Sequence, residues 1–537
     1  MVDFDALADE WLHEHVEEHP TLGTLYGLEG YDDRLGDFSG EAFERRAARD
    51  GRWIERLTAL PDDELSDEER IDRDLLIAHH RGNQVFADFP NWRRNPDTYV
   101  GPGLDGVYVL FLHRLRPDAD LAEAAAARLR QVPGALAAGR ENLDPGMADP
   151  VLVRRALGMC RAAVQFARDL VPQEEEDPAL RSTLAEAGAV AAEAYQDFAG
   201  FLEDLAARAE GSYVIGEARY DGVLRDRELL GHGAAELRRR GQAAYDELAE
   251  ELSRVSRDHF GSDDWRAVVD RLNADHPPTP EAMQDEYAHW TAEARRFLAD
   301  HELVSFPEGE ECRVVPAPPF RRAIIAVAFY IRPPAFRESR VGHFFVPFPP
   351  EGTPEDEVRK RLSDNSRASI PTTSVHEAYP GHHWHLTTML AGRPLRRVVS
   401  SPYFTEGWAL YSERMMREQG FFTDPAHEIG HLDARIFRAA RIVCDTSLHT
   451  GDMSFDEAVA FMSTKASLSE PTATAEVTRY CAWPTQASAY LTGALEIERA
   501  REGWLAAGGD LRTFHDRLGG SGAMPTALAE RALGTPA

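Results

Sequence analysis

Four histidines and a glutamate fall within ten residues of the stretch S-V-H-E-A-Y-P-G-H-H-W-H, Ser374 to His385. Imidazoles and carboxylates at that density are the donor types that bind zinc. In the zinc signature H-E-x-x-H the two histidines lie four apart on a helix, about 40° apart around its axis and one turn along. Both then reach one ion at about 2.1 Å, and the glutamate beside the first serves the bound water. His376 and Glu377 satisfy the first half, but Pro380 stands where the second histidine belongs. On a straight helix His382, six residues on, points well off that face, and His383, seven on, sits about 10.5 Å along it. Pro380 prevents a straight helix, because it lacks an N–H and its ring clashes with the carbonyl of His376. Gly381 tolerates dihedrals closed to other residues. Without these two residues the string reads H-E-A-Y-H. The expectation is an H-E-x-x-H site with a two-residue bulge that swings His382 to the metal and leaves His383 beside it. The choice between the two as ligand stays open.

A catalytic zinc site needs a third protein ligand and an open fourth position. F-T-E-G-W-A-L-Y-S-E, Phe404 to Glu413, supplies Glu406 and Glu413, seven apart and on one helix face. Glu406 is the expected ligand, and Glu413 the carboxylate that orients a histidine from behind. Either alone would read as a solvated helix carboxylate. The aromatic and glycine-bearing surroundings of Glu406 argue against that. Arg441, Asp445 and His449 follow at intervals of four. Arg441 and Asp445 could form a helix ion pair worth about 0.3–0.5 kcal/mol. The functional reading has Asp445 orienting a zinc histidine and His449 facing the substrate. Arg479 can grip a peptide carboxylate with its planar fork. Tyr480, Tyr490 and His449 are candidate donors to the oxygen that gains negative charge during amide hydrolysis. A lone tyrosine is more often a core aromatic, and the sequence does not rank Tyr480 against Tyr490. H-E-I-G-H, His427 to His431, is a complete H-E-x-x-H string, but Gly430 weakens a helix there by about 1 kcal/mol. His79, His80 and His343 read as core or surface residues.

The elements that must position these residues are mostly helical. Leu121–Gly139, Val151–Val171, Leu180–Ala209 and Gly233–Arg257 are rich in Ala, Leu, Glu and Arg, with apolar residues three and four apart. Around residues 302–350, the runs C-R-V-V-P-A-P-P-F, A-I-I-A-V-A-F-Y-I and G-H-F-F-V-P-F are β-branched, aromatic and bounded by proline, which predicts a small sheet. Its edge, beside the metal helix, would suit an extended peptide, because backbone hydrogen bonds there do not depend on side chain. The 537 residues exceed what one compact core usually holds. The expected organisation is one family-length unit, 1–537, with a helical lobe over 1–300, the sheet over 301–350 and a helical lobe with the metal site over 351–537.

Composition excludes several functions. A net charge of −32 repels nucleic acid and anionic lipid. No apolar run approaches the roughly 20 residues of a membrane helix, and the acidic start lacks the pattern of a signal peptide. A cytoplasmic protein is expected. Four scattered cysteines without a C-x-x-C pair point to buried free thiols rather than a disulfide framework or a cysteine zinc site. Lys360 and Lys465 are the only lysines among 59 basic residues, against 91 acidic ones. That balance points to a salt-loving source, and a GC-rich genome would also favour arginine.

H-E-A-Y-P-G-H-H, T-E-G-W-A-L-Y-S-E, R-I-V-C-D-T-S-L-H (Arg441 to His449) and E-V-T-R-Y-C-A-W-P-T-Q-A-S-A-Y-L-T-G (Glu476 to Gly493) resemble, in order and spacing, the four motif blocks of the "domain of unknown function 885" family. P-T-L-G-T-L-Y-G and N-W-R-R-N-P-D-T-Y-V extend the resemblance over nearly the whole chain. Members are treated as zinc metallopeptidases, similar at a distance to thimet oligopeptidase and carboxypeptidase Taq, which are mostly helical with a deep channel. In those relatives a glutamate some thirty residues after the first histidine completes the site, and Glu406 is thirty after His376. The resemblance implies His376, His382 and Glu406 as zinc ligands and Glu377 as base. One departure is His385, where members often carry glutamine. The resulting expectation is a mainly α, two-lobed zinc metallopeptidase of oligopeptides, monomeric or homodimeric. The alternatives are a zinc hydrolase of a non-peptide amide or small metabolite, and a binding protein without catalysis.

Overall fold

The computed structural model describes residues 3–322, 327–466 and 468–536. The protein is mainly α, with one small three-stranded sheet among the described residues. It forms two compact units: Met1–Ile215 with Pro334–Glu338, and Gly216–Pro333 with Ser339–Ala537.

In the first unit, α1 (Asp118–Asn142) and α2 (Pro150–Gln165) pack along α3 (Pro178–Ala206). The Asp-Pro pairs explain two of the starts. Asp149 and Asp177 accept hydrogen bonds from the first backbone amides of α2 and α3, and Pro150 and Pro178 occupy positions whose N–H would be unpaired. The expected helix over 151–171 stops being α after Gln165 and continues as a wider turn over Phe166–Leu170. Pro172, which has no amide to donate, lies just beyond.

The second unit carries every candidate site residue. Its α4 (Ala234–Phe260) fills the expected 233–257 helix, and α5 (Pro280–Asp300) follows. The sheet comprises β1 (Glu310–Pro316), β2 (Phe329–Ile331) and β3 (Arg340–Val346), in the order β1-β3-β2. β1 runs parallel to β3, with Cys312 opposite Gly342, and β2 runs antiparallel to it. The start of the run expected at Ala323–Ile331, residues 323–326, lies outside the described residues. Beyond the sheet come α6 (Ile370–Glu377), α7 (His382–Thr388), α8 (Pro402–Glu418), α9 (Pro425–Thr450), α10 (Glu470–Ala482) and α11 (Ala489–Ala506). α4 lies along α9, and α8 along α11. The second pair crosses at Gly407 and Gly493, where a Cβ on Gly493 would stand 1.7 Å from the carbonyl oxygen of Tyr403. Only glycine permits that approach.

All four cysteines are free, with Cys160, Cys444 and Cys481 buried and Cys312 half-buried. Among the described residues, no helix is long and apolar enough to cross a membrane.

Candidate metal centre

The H-E-A-Y-P-G-H-H stretch forms two helices rather than one bulged helix. α6 ends at Glu377, residues 378–381 turn through a cis Tyr379–Pro380 bond, and α7 begins at His382. The turn leaves few amides unpaired. The Gly381 N–H donates to the Val375 carbonyl at 3.1 Å, and the Trp384 N–H to Ala378 at 3.1 Å. A Cβ on Gly381 would lie 1.9 Å from the His376 carbonyl oxygen, so the fold needs glycine there. Trp408 on α8 fastens the turn by donating its indole N–H to the Pro380 carbonyl at 2.8 Å.

This break brings His376, at the end of α6, and His382, at the start of α7, together with Glu406 from α8. One ligand atom from each lies within 4.8 Å of the others. Glu406 Oε2 is 3.7 Å from His376 Nε2 and 3.5 Å from His382 Nε2. A tetrahedron with zinc–ligand bonds of about 2.0–2.1 Å has edges of about 3.4 Å, so Glu406 sits close to that spacing from each histidine, and the two histidine donors lie within 4.8 Å of each other. Behind His376, Glu413 Oε1 lies 2.7 Å from Nδ1, which fixes that ring with Nε2 toward the other donors. Glu413 also accepts from Thr372 at 2.9 Å, and its second oxygen is 3.6 Å from His431. His382 has no such support, since its Nδ1 is buried without a partner among the described residues.

The electrostatics follow from these partners. Burial opposes a charge on His376, yet the hydrogen-bonding carboxylates of Glu406 and Glu413 outweigh it and hold the imidazole pKa up to about 10. Burial likewise opposes charge on Glu406 and Glu413, but their histidine partners hold both well below the usual carboxylate range. Glu377 differs. Burial raises its pKa, and His382 and His376 pull it back only in part. Its carboxylate makes no hydrogen bond or ion pair with any described residue, although the residue is only 8% exposed.

Other expected site residues lie elsewhere. His383 is fully buried, with Nδ1 2.9 Å from the Tyr330 hydroxyl and Nε2 2.8 Å from Glu310. Both ring nitrogens are therefore committed to the sheet, and His382 takes the place in the triad. Asp445 does not orient a triad histidine: it accepts from the Tyr220 hydroxyl at 2.6 Å. Arg441 pairs with Glu476 at 2.6 Å instead of with Asp445. His449 is fully buried, with Nε2 donating to the Tyr480 carbonyl at 2.9 Å, so it presents no face to a substrate. Tyr480 is 1% exposed, and its hydroxyl lies between Arg441 and Glu476. Tyr490 is half-buried and its ring stacks on His376 at 6.4 Å, so of the two tyrosines it is the one beside the triad. Arg479 is occupied by Glu476 at 3.0 Å and by Gln486.

The decoy H-E-I-G-H lies within α9. His427 packs edge-on against Trp290, and His431 reaches Glu413 from behind. His385 is buried against Phe404 and Trp408, and burial lowers its pKa to about 3.

The family described as "Bacterial protein of unknown function (DUF885)" matches residues 20–533. The chain belongs to the DUF885 family. No curated protein matches it. The fold of this DUF885 protein is similar to that of a candidate lipoprotein of unknown function from Shewanella oneidensis, at 18% identity and a TM-score of 0.79, over 99% of each chain. It is also similar to a candidate lipoprotein from Colwellia psychrerythraea, at 21% identity and a TM-score of 0.80, over 96% of each chain.

Two participants in this DUF885 site escaped the sequence reading. Glu310, the first residue of β1, accepts from Tyr379 at 2.6 Å and holds His383, which ties the sheet to the turn. His431 backs Glu413. Glu310 lies in an acidic stretch with no catalytic spacing, and His431 was hidden inside the decoy string.

Proposed function

We propose that this DUF885 protein is a zinc-dependent hydrolase of peptide bonds. His376, His382 and Glu406 would hold the metal, and Glu377 would act as general base. The observation that carries this reading is the Glu377 carboxylate, without a partner among the described residues, beside three donors that lie within 4.8 Å of one another. A pure binding site has no use for such a carboxylate. Bound zinc would supply a polarised carbonyl and a water of lowered pKa.

Glu377 accepts a proton from the attacking water and returns it to the leaving nitrogen. The raised pKa conferred by burial brings its acid and base forms closer together in energy near neutral pH, as that double role requires. Tyr490, whose ring stacks on His376, would be the donor to the oxygen that gains charge. β1 is an edge strand near Glu377. The pKa of the Cys312 thiol on β1 is raised first by burial and then by the charges of Glu310 and Glu377. Gln284 takes the Val314 carbonyl of β1 at 3.1 Å, so an extended peptide would pair with the rest of that strand, which a compact amide could not do.

The test is metal content together with hydrolysis of a mixed peptide set, before and after chelation. We expect about one zinc per chain. We also expect Glu377→Gln to keep the metal while losing about 10²–10⁴-fold in rate. A chain that takes up no zinc, or activity that survives both chelation and Glu377→Gln, would sink the reading. Cleavage of small amides but not of peptides would favour the non-peptide alternative.

A further inference from the structure

Two arginines lie against the ring of Tyr490, and a third reaches it through Gln486. The guanidinium carbons of Arg441 and Arg438 lie 4.8 and 6.0 Å from its centroid, and Arg479 reaches Gln486, whose amide donates to the Tyr490 hydroxyl. One carboxylate, Glu476, pairs with both Arg441 and Arg479. Arg438 has no carboxylate within 4.0 Å among the described residues. Its one hydrogen bond is local, from Nη1 to the Ala434 carbonyl at 3.0 Å, and its Nε is buried without a partner. The side chain is half-buried, so part of the guanidinium remains open to a ligand.

An unpaired guanidinium in a protein of net charge −32 calls for an anion. Its surroundings say which one. Tyr490 stacks on His376, so Arg438 stands one aromatic ring away from a triad histidine. Asp433, Glu377 and Glu413 all feel its charge, but none of them pairs with it. An extended peptide advances about 3.3–3.6 Å per residue. The steps of 6.0 Å from Arg438 to the Tyr490 ring and 6.4 Å from that ring to His376 bound the separation, so a carboxylate at Arg438 would lie no more than about three residues beyond a carbonyl held at the triad.

We propose that Arg438 reads the C-terminal carboxylate of the substrate, so that the enzyme removes a short piece, of up to about three residues, from the C-terminus of peptides. This rests on the hydrolase reading above for the cut, but not for the binding. Arg441 and Arg479 share Glu476, which holds both guanidinium groups in place near Tyr490, whereas Arg438 has no carboxylate to hold it among the described residues.

The test measures binding by calorimetry to the zinc-loaded full chain carrying Glu377→Gln, so that turnover does not intervene. The probes are N-acetyl-Ala-Ala-Phe as the free acid, the same peptide as its C-terminal amide, and N-acetyl-Ala-Ala-Asp amide, whose only carboxylate is on a side chain. The free acid should bind about 100-fold more tightly than either amide. Adding Arg438→Gln should erase the difference. Arg438→Lys, which keeps the charge but not the fork, should restore part of it. Equal binding of all three, or of none, overturns the proposal. So does a free-acid advantage that survives Arg438→Gln, or an aspartyl amide that binds as well as the free acid. If the free-acid preference holds but the unaltered chain cleaves no peptide, Arg438 keeps its role and the hydrolase reading falls.

Discussion

Glu377 and Glu413 are both buried carboxylates close to His376, yet their pKa values move in opposite directions. Glu413 is locked to His376 and Thr372, so its charged form is stabilised, whereas Glu377 has no hydrogen-bond or ion-pair partner among the described residues and burial prevails. The two therefore fail differently when removed. Glu413→Ala should leave the triad present but unsupported, and zinc affinity should fall about 10–100-fold. Competition with a fluorescent chelator measures this, and an unchanged affinity would deny Glu413 its orienting role. His376 supplies a pH dependence. Its pKa of about 10 in the metal-free protein means that zinc must displace a proton throughout the neutral range. Apparent zinc affinity should rise about tenfold per pH unit between roughly pH 7 and 9, with about one proton released per ion. Calorimetry in buffers of different ionisation enthalpy reads that proton directly. The same raised pKa gives the metal-free fold a stabilising term that is full below the ordinary histidine value and is lost as pH climbs through about 10. Chelated protein should accordingly melt at lower temperature at pH 10 than at pH 7.

The break between α6 and α7 is the element on which the site depends. Gly381 sits against the backbone of its own motif, with the carbonyls of His376 and Val375 at 1.9 and 2.3 Å from where a Cβ would be. Those atoms are not flexible side-chain ends, so Gly381→Ala must push α7 away from α6. We expect a loss of about 1–3 kcal/mol in stability and at least tenfold in zinc affinity. A variant that binds zinc as well as the parent would show that the turn can widen without moving His382. Much of this was legible beforehand. Pro380 and Gly381 announced an interrupted helix, and the seven-residue spacing of Glu406 and Glu413 placed both on one face of α8. Periodicity located α1, α3 and α4 within a few residues. What sequence could not resolve was whether the interruption bulged or broke the helix, because that depends on Trp408 gripping the Pro380 carbonyl from another element. His383 was likewise beyond reach. It looks equivalent to His382 in the string, and only the arrival of β1 and β2 commits its nitrogens to Glu310 and Tyr330. Asp445 and His449 shared the face spacing of functional residues, yet that face of α9 closes on Tyr220 and the Tyr480 carbonyl. Spacing along one helix does not say what packs against it.

At the scale of the molecule, the excess of 91 acidic over 59 basic residues sets up two electrostatic terms that salt affects unequally. Exposed ion pairs such as Arg56–Glu10 at 2.6 Å and Arg313–Glu311 at 3.0 Å stabilise the fold slightly, each by about 0–1 kcal/mol. Unpaired carboxylates repel one another over longer distances. Raising salt from about 0.1 to 1 M shortens the screening length from about 10 to 3 Å. The pairs act at separations no greater than the shorter length and keep most of their attraction. Repulsion between carboxylates some 10 Å apart is largely removed. Repulsion therefore loses more, and added salt should stabilise the protein. The expected rise in melting temperature between 0.1 and 2 M KCl is on the order of 5 °C or more. Calorimetric scans across that range at constant pH and zinc loading measure it. A melting temperature that stays flat or falls would mean that the paired arginines, and not the excess of carboxylates, govern how this surface responds to salt.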